Sequence, residues 1–253
     1  MIKYYQTIIE SRDIMLKIEG LTKTYGDKRA VDNLSLHIQK GEIYGFIGHN
    51  GAGKTTTIKA CCGILQSDEG EIYVDGISIK ENPIACKKKI AYIPDNPDLY
   101  EYMSGIKYLN FICDIYGVSK SDREEKIKKY ADMFELTSDL AQPVSAYSHG
   151  MKQKLAIISA LVHDPELMIM DEPFVGLDPK ASFLLKETMR ELCNNGGAIF
   201  FSTHVLEVAE KLCDKIAIIK GGKLLMSGKT EEVKGNDSLE EVFLELEEES
   251  KNA

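Results

Sequence analysis

The run Gly48-His49-Asn50-Gly51-Ala52-Gly53-Lys54-Thr55 constrains this chain more than any other stretch. Two glycines followed by Lys and a hydroxyl residue at that fixed spacing form the pattern of a loop that wraps phosphate. At ordinary glycine usage the four specified positions recur by chance in about one chain in a hundred of this length, so the flanking residues must decide. Ile43-Tyr44-Gly45-Phe46-Ile47 reads as a buried strand entering the loop, and Thr55-Thr56-Thr57-Ile58-Lys59-Ala60 as a helix leaving it. Strand, glycine loop and helix make the geometry that phosphate needs. Amides at a helix N-terminus point at the anion, and Lys54 reaches the terminal phosphates. Thr55 would set its hydroxyl on Mg²⁺. Taken alone, the loop fits a kinase, a GTPase or a motor, although the chain has no Asn-Lys-x-Asp motif for reading a guanine base.

Around this loop the chain alternates strand and helix signals. Residues 1–13 precede the apolar alternation that starts at Met15, Leu16 and Ile18, and look appended: either an ordered extra element or an upstream start codon read too early. Leu34-Ser35-Leu36-His37-Ile38 has period two, and Lys40-Gly41 turns the chain into the loop's entry strand, so two antiparallel strands are expected here. Tyr25 precedes Gly26-Asp27 as an exposed aromatic in a loop, although a tyrosine capping the sheet is an equal reading. Residues 70–76 make a short strand between turn residues, and Ile90-Ala91-Tyr92-Ile93 a buried one that Pro94 ends. From residue 104 to residue 161 only helical spacing is visible, as in Tyr108, Leu109, Ile112, Ile115 and Tyr116.

Leu167-Met168-Ile169-Met170 and Ala198-Ile199-Phe200-Phe201 then have the continuous apolarity of buried parallel strands. Gly221-Gly222 joins Ile216-Ala217-Ile218-Ile219 to Leu224-Leu225-Met226 as a two-residue hairpin that closes an antiparallel edge. Ser238 and Glu241 form a capping box ahead of the stripe Leu239, Val242, Phe243 and Leu246. Glu245 and the run 247–249 oppose the dipole of that last helix, so its end is expected to fray.

Composition narrows the function. The 40 acidic against 31 basic side chains give a net charge of −9, which argues against a nucleic-acid groove, because such a groove needs a basic face. No run approaches the ~18 apolar residues of a membrane helix, and residues 1–13 lack the basic-then-apolar layout of a signal peptide. A cytoplasmic location is expected. The six cysteines contain no CxxC pair and no metal-ligand spacing, so they are expected to be reduced thiols without chemistry.

A phosphate loop needs a carboxylate at the tip of a neighbouring strand to hold the metal. Asp171, after Leu167-Met168-Ile169-Met170, stands in that place. Glu172, one residue on, can orient and deprotonate the water that attacks the terminal phosphate. With these residues in hand, the chain resembles the ATP-binding subunit of an ABC transporter from residue 16 to residue 246. Ser145-Ala146-Tyr147-Ser148-His149-Gly150-Met151-Lys152-Gln153 resembles the family's signature segment, and Asp171-Glu172-Pro173 its metal aspartate and catalytic glutamate. Gly176-Leu177-Asp178-Pro179 resembles the loop at the dimer interface, and His204 after Ser202-Thr203 the switch histidine on the γ-phosphate.

The resemblance implies the rest. The fold is an α/β P-loop NTPase of the ABC type, a mixed-sheet core with an antiparallel β edge and an inserted helical subdomain. Residues 14–235 form the ATP-binding domain, with the helical subdomain at about 96–162 by the family pattern. Residues 1–13 are an N-terminal extension, and 236–253 a C-terminal helix and acidic tail. The cofactors are ATP and Mg²⁺. Tyr25 stacks on adenine. Gly48, His49, Asn50, Gly51, Ala52, Gly53, Lys54, Thr55 and Thr56 bind the nucleotide; Thr55, Asp95 and Asp171 hold Mg²⁺; Glu172, His204 and Lys54 are catalytic.

Ser148, His149, Gly150 and Met151 serve ATP on the opposite subunit, and Asp178 lies in the dimer loop. The partners are a second copy of the chain, in a homodimer, and a separate transmembrane permease, with no nucleic acid. The chain is thus placed on the cytoplasmic face of the membrane. The C-terminal helix resembles that of multidrug and antibiotic-resistance exporters, so export is expected. A soluble ABC-type ATPase of ribosome or DNA work is the alternative; those carry paired nucleotide domains or basic surfaces, and neither is seen here.

Three residues depart from the commonest family pattern. His49 replaces a frequent proline, at the expense of loop stiffness only. Asp95 replaces a Gln or Glu and would reach the metal through water. His149 replaces the first glycine of the signature, either adding a donor near the γ-phosphate or facing solvent; the second is the favoured reading.

Overall fold

The computed structural model describes residues 13–252, with side-chain surroundings given as far as residue 246. Residues 1–12 of the N-terminal extension therefore lie outside the described residues. Two sheets organise the chain. The first is antiparallel, in the order β2-β1-β4-β5, from β1 (Ile14–Tyr25), β2 (Lys28–Gln39), β4 (Glu69–Val74) and β5 (Ile77–Ser78). The second has the order β10-β9-β3-β8-β7-β6. Its strands are β3 (Ile43–Ile47), β6 (Ile90–Ile93), β7 (Leu167–Asp171), β8 (Ala198–Thr203), β9 (Lys215–Lys220) and β10 (Lys223–Lys229). All its pairings are parallel except β9 with β10, the edge hairpin expected at Gly221-Gly222.

The continuous apolar runs of the second sheet serve two cores, because successive side chains of a strand point to opposite faces. Ile43 and Ile47 of β3, Met168 and Met170 of β7, and Ile199 and Phe201 of β8 face one cluster, shared with the helices that follow β6. Tyr44, Phe46, Leu167, Ile169, Ala198 and Phe200 face the other, closed by the antiparallel sheet. Helix α1 (Lys54–Cys61) contributes Ile58, Ala60 and Cys61 to this second cluster and so lies between the sheets. That burial fixes the glycine loop at its N-terminus.

The expectation of two antiparallel strands about Lys40-Gly41 is corrected. Among the described residues β2 pairs only with β1, whereas β3 is flanked in parallel by β8 and β9. The turn carries the chain from one sheet to the other, and Gly41 N–H donates to the Gly197 carbonyl at 2.7 Å rather than closing a hairpin. Tyr25 is likewise not in a loop. It ends β1 opposite Lys28, with Gly26-Asp27 as the turn between them.

After α2 (Pro83–Lys89) and β6, the chain forms α3 (Gly105–Tyr116), α4 (Lys120–Met133) and α5 (His149–Leu161) before returning to the sheet at β7. α6 (Pro179–Asn194) connects β7 to β8, and α7 (Leu206–Leu212) connects β8 to β9. The chain closes with α8 (Thr230–Lys234) and α9 (Leu239–Asn252). The capping box forms: Ser238 N–H donates to Glu241 Oε2 at 2.8 Å and Glu241 N–H to Ser238 Oγ at 3.2 Å. Leu239, Val242 and Phe243 are buried, as the apolar stripe requires. α9 runs to Asn252; the side chains of the run 247–249, on which the expectation of fraying rests, lie outside the described residues. No described helix is long and apolar enough to cross a membrane. All six cysteines are free and buried, and burial pushes the Cys193 thiol up to about 12.

Candidate functional site

Where β3 ends, the backbone enters residues 48–53 and turns at Gly53, whose φ of 109° precedes α1. An ideal Cβ there would come within 2.4 Å of the Ala30 carbonyl oxygen. Both conditions demand glycine. They bring β2 against the loop, so that Ala30 and Lys28 line the same cleft as the loop residues. The cleft has a volume of about 290 Å³ and is bounded by Tyr25, Lys54, Thr55, Asp95, Asp171 and Glu172, among others. His49, Asn50, Gly51, Gly53 and Thr56 also line it; Gly48 and Ala52 are buried just behind. Lys28 and Ala30 carried no signal in the sequence, because only the β1–β2 hairpin places them there.

Lys54 is 6 % exposed, and its ammonium donates to the Gly48 carbonyl at 2.5 Å. The Thr55 hydroxyl donates to Asp171 Oδ2 at 2.6 Å. The other carboxylate oxygen of Asp171 accepts from the Ser202 hydroxyl. Ser202, at the matching position of β8, is a residue that sequence reasoning passed over except as a neighbour of His204. A hydroxyl, the Asp171 carboxylate and the Asp95 carboxylate on the rim form a set of hard oxygen donors. That set fits Mg²⁺, which takes one or two carboxylates and completes its shell with phosphate and water. No group of three or more His, Cys, Asp or Glu that could hold a metal exists among the described residues.

Glu172 has a left-handed backbone, φ 48°, a conformation uncommon outside glycine and found at functional sites where the surroundings enforce it. Here its N–H donates to the Ser202 carbonyl and hydroxyl, both at 3.2 Å. The turn aims the carboxylate back into the cleft. Its Oε1 lies 3.5 Å from Lys54 Nζ and 3.0 Å from His204 Nδ1, and Oε2 accepts from the His204 N–H at 3.4 Å. Lys54 and His204 thus meet on Glu172, although 150 residues separate them.

Ser148, His149, Gly150 and Met151 do not line this cleft. Ser148 caps α5, accepting from the Met151 N–H at 3.3 Å. His149 is exposed, yet its ring abuts Gly176: a Cβ on residue 176, where φ is 79°, would lie 2.4 Å from the imidazole Cδ2. Lys154 pairs with Asp178 at 2.7 Å and, as the chief cause, holds its carboxyl below the usual range. Asp178 also caps α6, accepting from the Ala181 N–H at 2.8 Å. Residues 148–151 and 176–178 therefore form one exposed surface. Sequence reasoning treated them as two separate motifs.

A family model described as ABC transporter matches residues 31–175. The uncharacterized ABC transporter ATP-binding protein YhaQ of Bacillus subtilis (strain 168) is 39 % identical over 220 residues, covering 87 % of this chain and 73 % of that protein. The linearmycin resistance ATP-binding protein LnrL of the same organism is 36 % identical over 214 residues, covering 85 % and 69 %. A solved structure described as the ATP binding subunit of an ABC transporter superposes with a TM-score of 0.89 at 33 % identity, over 92 % of this chain and 99 % of that one.

Proposed function

The chain belongs to the ABC transporter family as an ATP-binding, ATP-hydrolysing subunit, and from that premise we propose that it powers export through a separate membrane subunit. The convergence of Lys54, Thr55, Asp171 and Glu172 on one cleft, with His204 3.0 Å behind Glu172, is the observation that carries this reading. ATP lies along residues 48–56 with adenine on Tyr25, the exposed aromatic at the cleft's edge. Lys54 leaves the Gly48 carbonyl for the terminal phosphates, and the loop amides take up the remaining charge. Thr55, Asp171 and Asp95 would hold Mg²⁺, which would supply charge neutralisation on the phosphates. Glu172 accepts a proton from the attacking water, and His204, held 3.0 Å from it, donates to the γ-phosphate.

The surface of residues 148–151 and 176–178, which does not line the chain's own cleft, supports a site completed by a second copy: Ser148 and the neighbouring amides meet the γ-phosphate bound by the partner. Because each nucleotide then bridges two subunits, ATP can favour the closed dimer by the ~5.5 kcal/mol that swings a 1:99 equilibrium to 99:1. The permease docks on the helical face beside the cleft. There Tyr100 and Tyr102 are exposed with ring centroids 5.8 Å apart, and Phe111 lies 5.5 Å from Tyr100. Export is favoured by the likeness to LnrL, a resistance protein by its name. The test is affinity purification of the tagged chain from detergent-extracted membranes of its own cell. A stoichiometric membrane protein whose binding is lost on replacing Tyr100 and Tyr102 with Glu is the expected result; recovery with ribosomes or DNA and no membrane protein would overturn the transport reading.

A further inference from the structure

α9 reaches the phosphate loop. The Phe243 ring lies edge-on to His49 with centroids 5.0 Å apart and planes at 77°, an arrangement aromatic rings favour. Phe243 is buried, and Leu239 one turn before it is fully so. The first turn of α9 is tied to α7, the helix that follows His204: Glu210 accepts from the Leu239 N–H at 3.1 Å and pairs with Lys234 at 3.3 Å. A hollow of about 170 Å³ between the loop and α9 is lined by His49, His204, Glu240 and Phe243. The C-terminal helix therefore touches the phosphate loop and adjoins the switch histidine at once, and nothing in the proposed mechanism uses it.

Lys54 bonds the Gly48 and His49 carbonyls at 2.5 and 3.4 Å. His49 in turn accepts the Ala52 N–H on its carbonyl, at 3.1 Å, and meets the Phe243 ring with its side chain. We propose that Phe243 is a positioning residue for the phosphate loop, holding His49 in place through the edge-on ring contact, so that the C-terminal helix sets the affinity for ATP. This rests on the reading of residues 48–56 as the ATP site.

The test measures ATP dissociation constants by calorimetry on the full chain with Phe243→Leu, His49→Ala, the double variant and Phe243→Tyr. Phe243→Leu keeps the apolar burial and loses the ring. Each single variant is expected to weaken binding by about threefold to tenfold, the scale of one aromatic pair. The double variant should be no weaker than the worse single one, because both remove the same contact, and Phe243→Tyr should bind like the parent. Single variants that bind ATP as the parent does, losses that multiply in the double variant, or a Tyr variant as weak as Leu would each overturn the role of the helix. A parent chain that fails to bind ATP would instead overturn the reading of the site, and this inference with it.

Discussion

Replacing Glu172 with Gln removes the proposed base while leaving the shape of the cleft intact, since Gln tolerates the left-handed backbone no worse than Glu and still accepts from the His204 N–H. The structure adds a second effect. Glu172 Oε1 lies 3.5 Å from Lys54 Nζ, with the two side chains 12 % and 6 % exposed. At an effective dielectric constant of 20 that attraction is about 5 kcal/mol before desolvation, and desolvation offsets much of it. The phosphates of ATP must displace this carboxylate to claim the ammonium, so the Gln variant should bind ATP as tightly as the parent or more tightly. Its hydrolysis should fall by about 10²–10⁴-fold, the worth of a positioned general base, or about 3–5 kcal/mol at 1.36 kcal/mol per decade. Steady-state phosphate release measures the fall, calorimetry the affinity, and size-exclusion chromatography with ATP the dimer expected to accumulate. Undiminished turnover would remove Glu172 from its role; a collapse of ATP binding would refute the competition between carboxylate and phosphate.

Lys54→Ala should lose about 2–5 kcal/mol of ATP binding, the usual cost of truncating one side of a buried charged contact, and unchanged binding by calorimetry would count against the phosphate clamp. At the signature surface, Gly176→Ala must place a methyl group against the His149 ring in a left-handed backbone that costs an alanine about 1–2 kcal/mol. It should lower both ATPase rate and melting temperature, by about 2–4 °C per kcal/mol for a chain of this size. His149→Gly alone should change the ATPase little, since the ring is exposed, and in the double variant it should recover the steric part of the loss only; no recovery would mean the ring is not what residue 176 meets. His163 stacks on Tyr116 with centroids 3.7 Å apart, and burial pulls its pKa down to about 4. Below about pH 6.5 the unfolded chain binds a proton that the folded one refuses, so stability falls as the pH drops towards 4, by up to about 3 kcal/mol. His163→Phe keeps the stack and should melt progressively above the parent as the pH falls; parallel melting curves from pH 7 to pH 4 would refute the assignment.

The legible part of this protein was whatever neighbouring residues encode. The loop of residues 48–55 between a buried strand and a helix, the hairpin at Gly221-Gly222 and the capping box of Ser238 and Glu241 depend on spacing, turn chemistry and a few adjacent side chains, and each forms where the sequence placed it. Asp171 and Glu172 stood out as candidates for a metal and a water because they follow an apolar run, and His204 by its place in the resemblance. Tertiary structure decided what crosses the chain. It routes Lys40-Gly41 from one sheet to the other, because β3 gains two parallel neighbours that local turn preference cannot foresee. It sets Ser202 on Asp171 across two strands and turns Glu172 through a positive φ onto Lys54 and His204. It also lays Phe243 against His49, 194 residues earlier in the chain, where the sequence alone offered a loop residue and a helix stripe with no reason to meet. Periodicity fixes which face of an element is apolar; which other face it meets is settled only when the whole core packs.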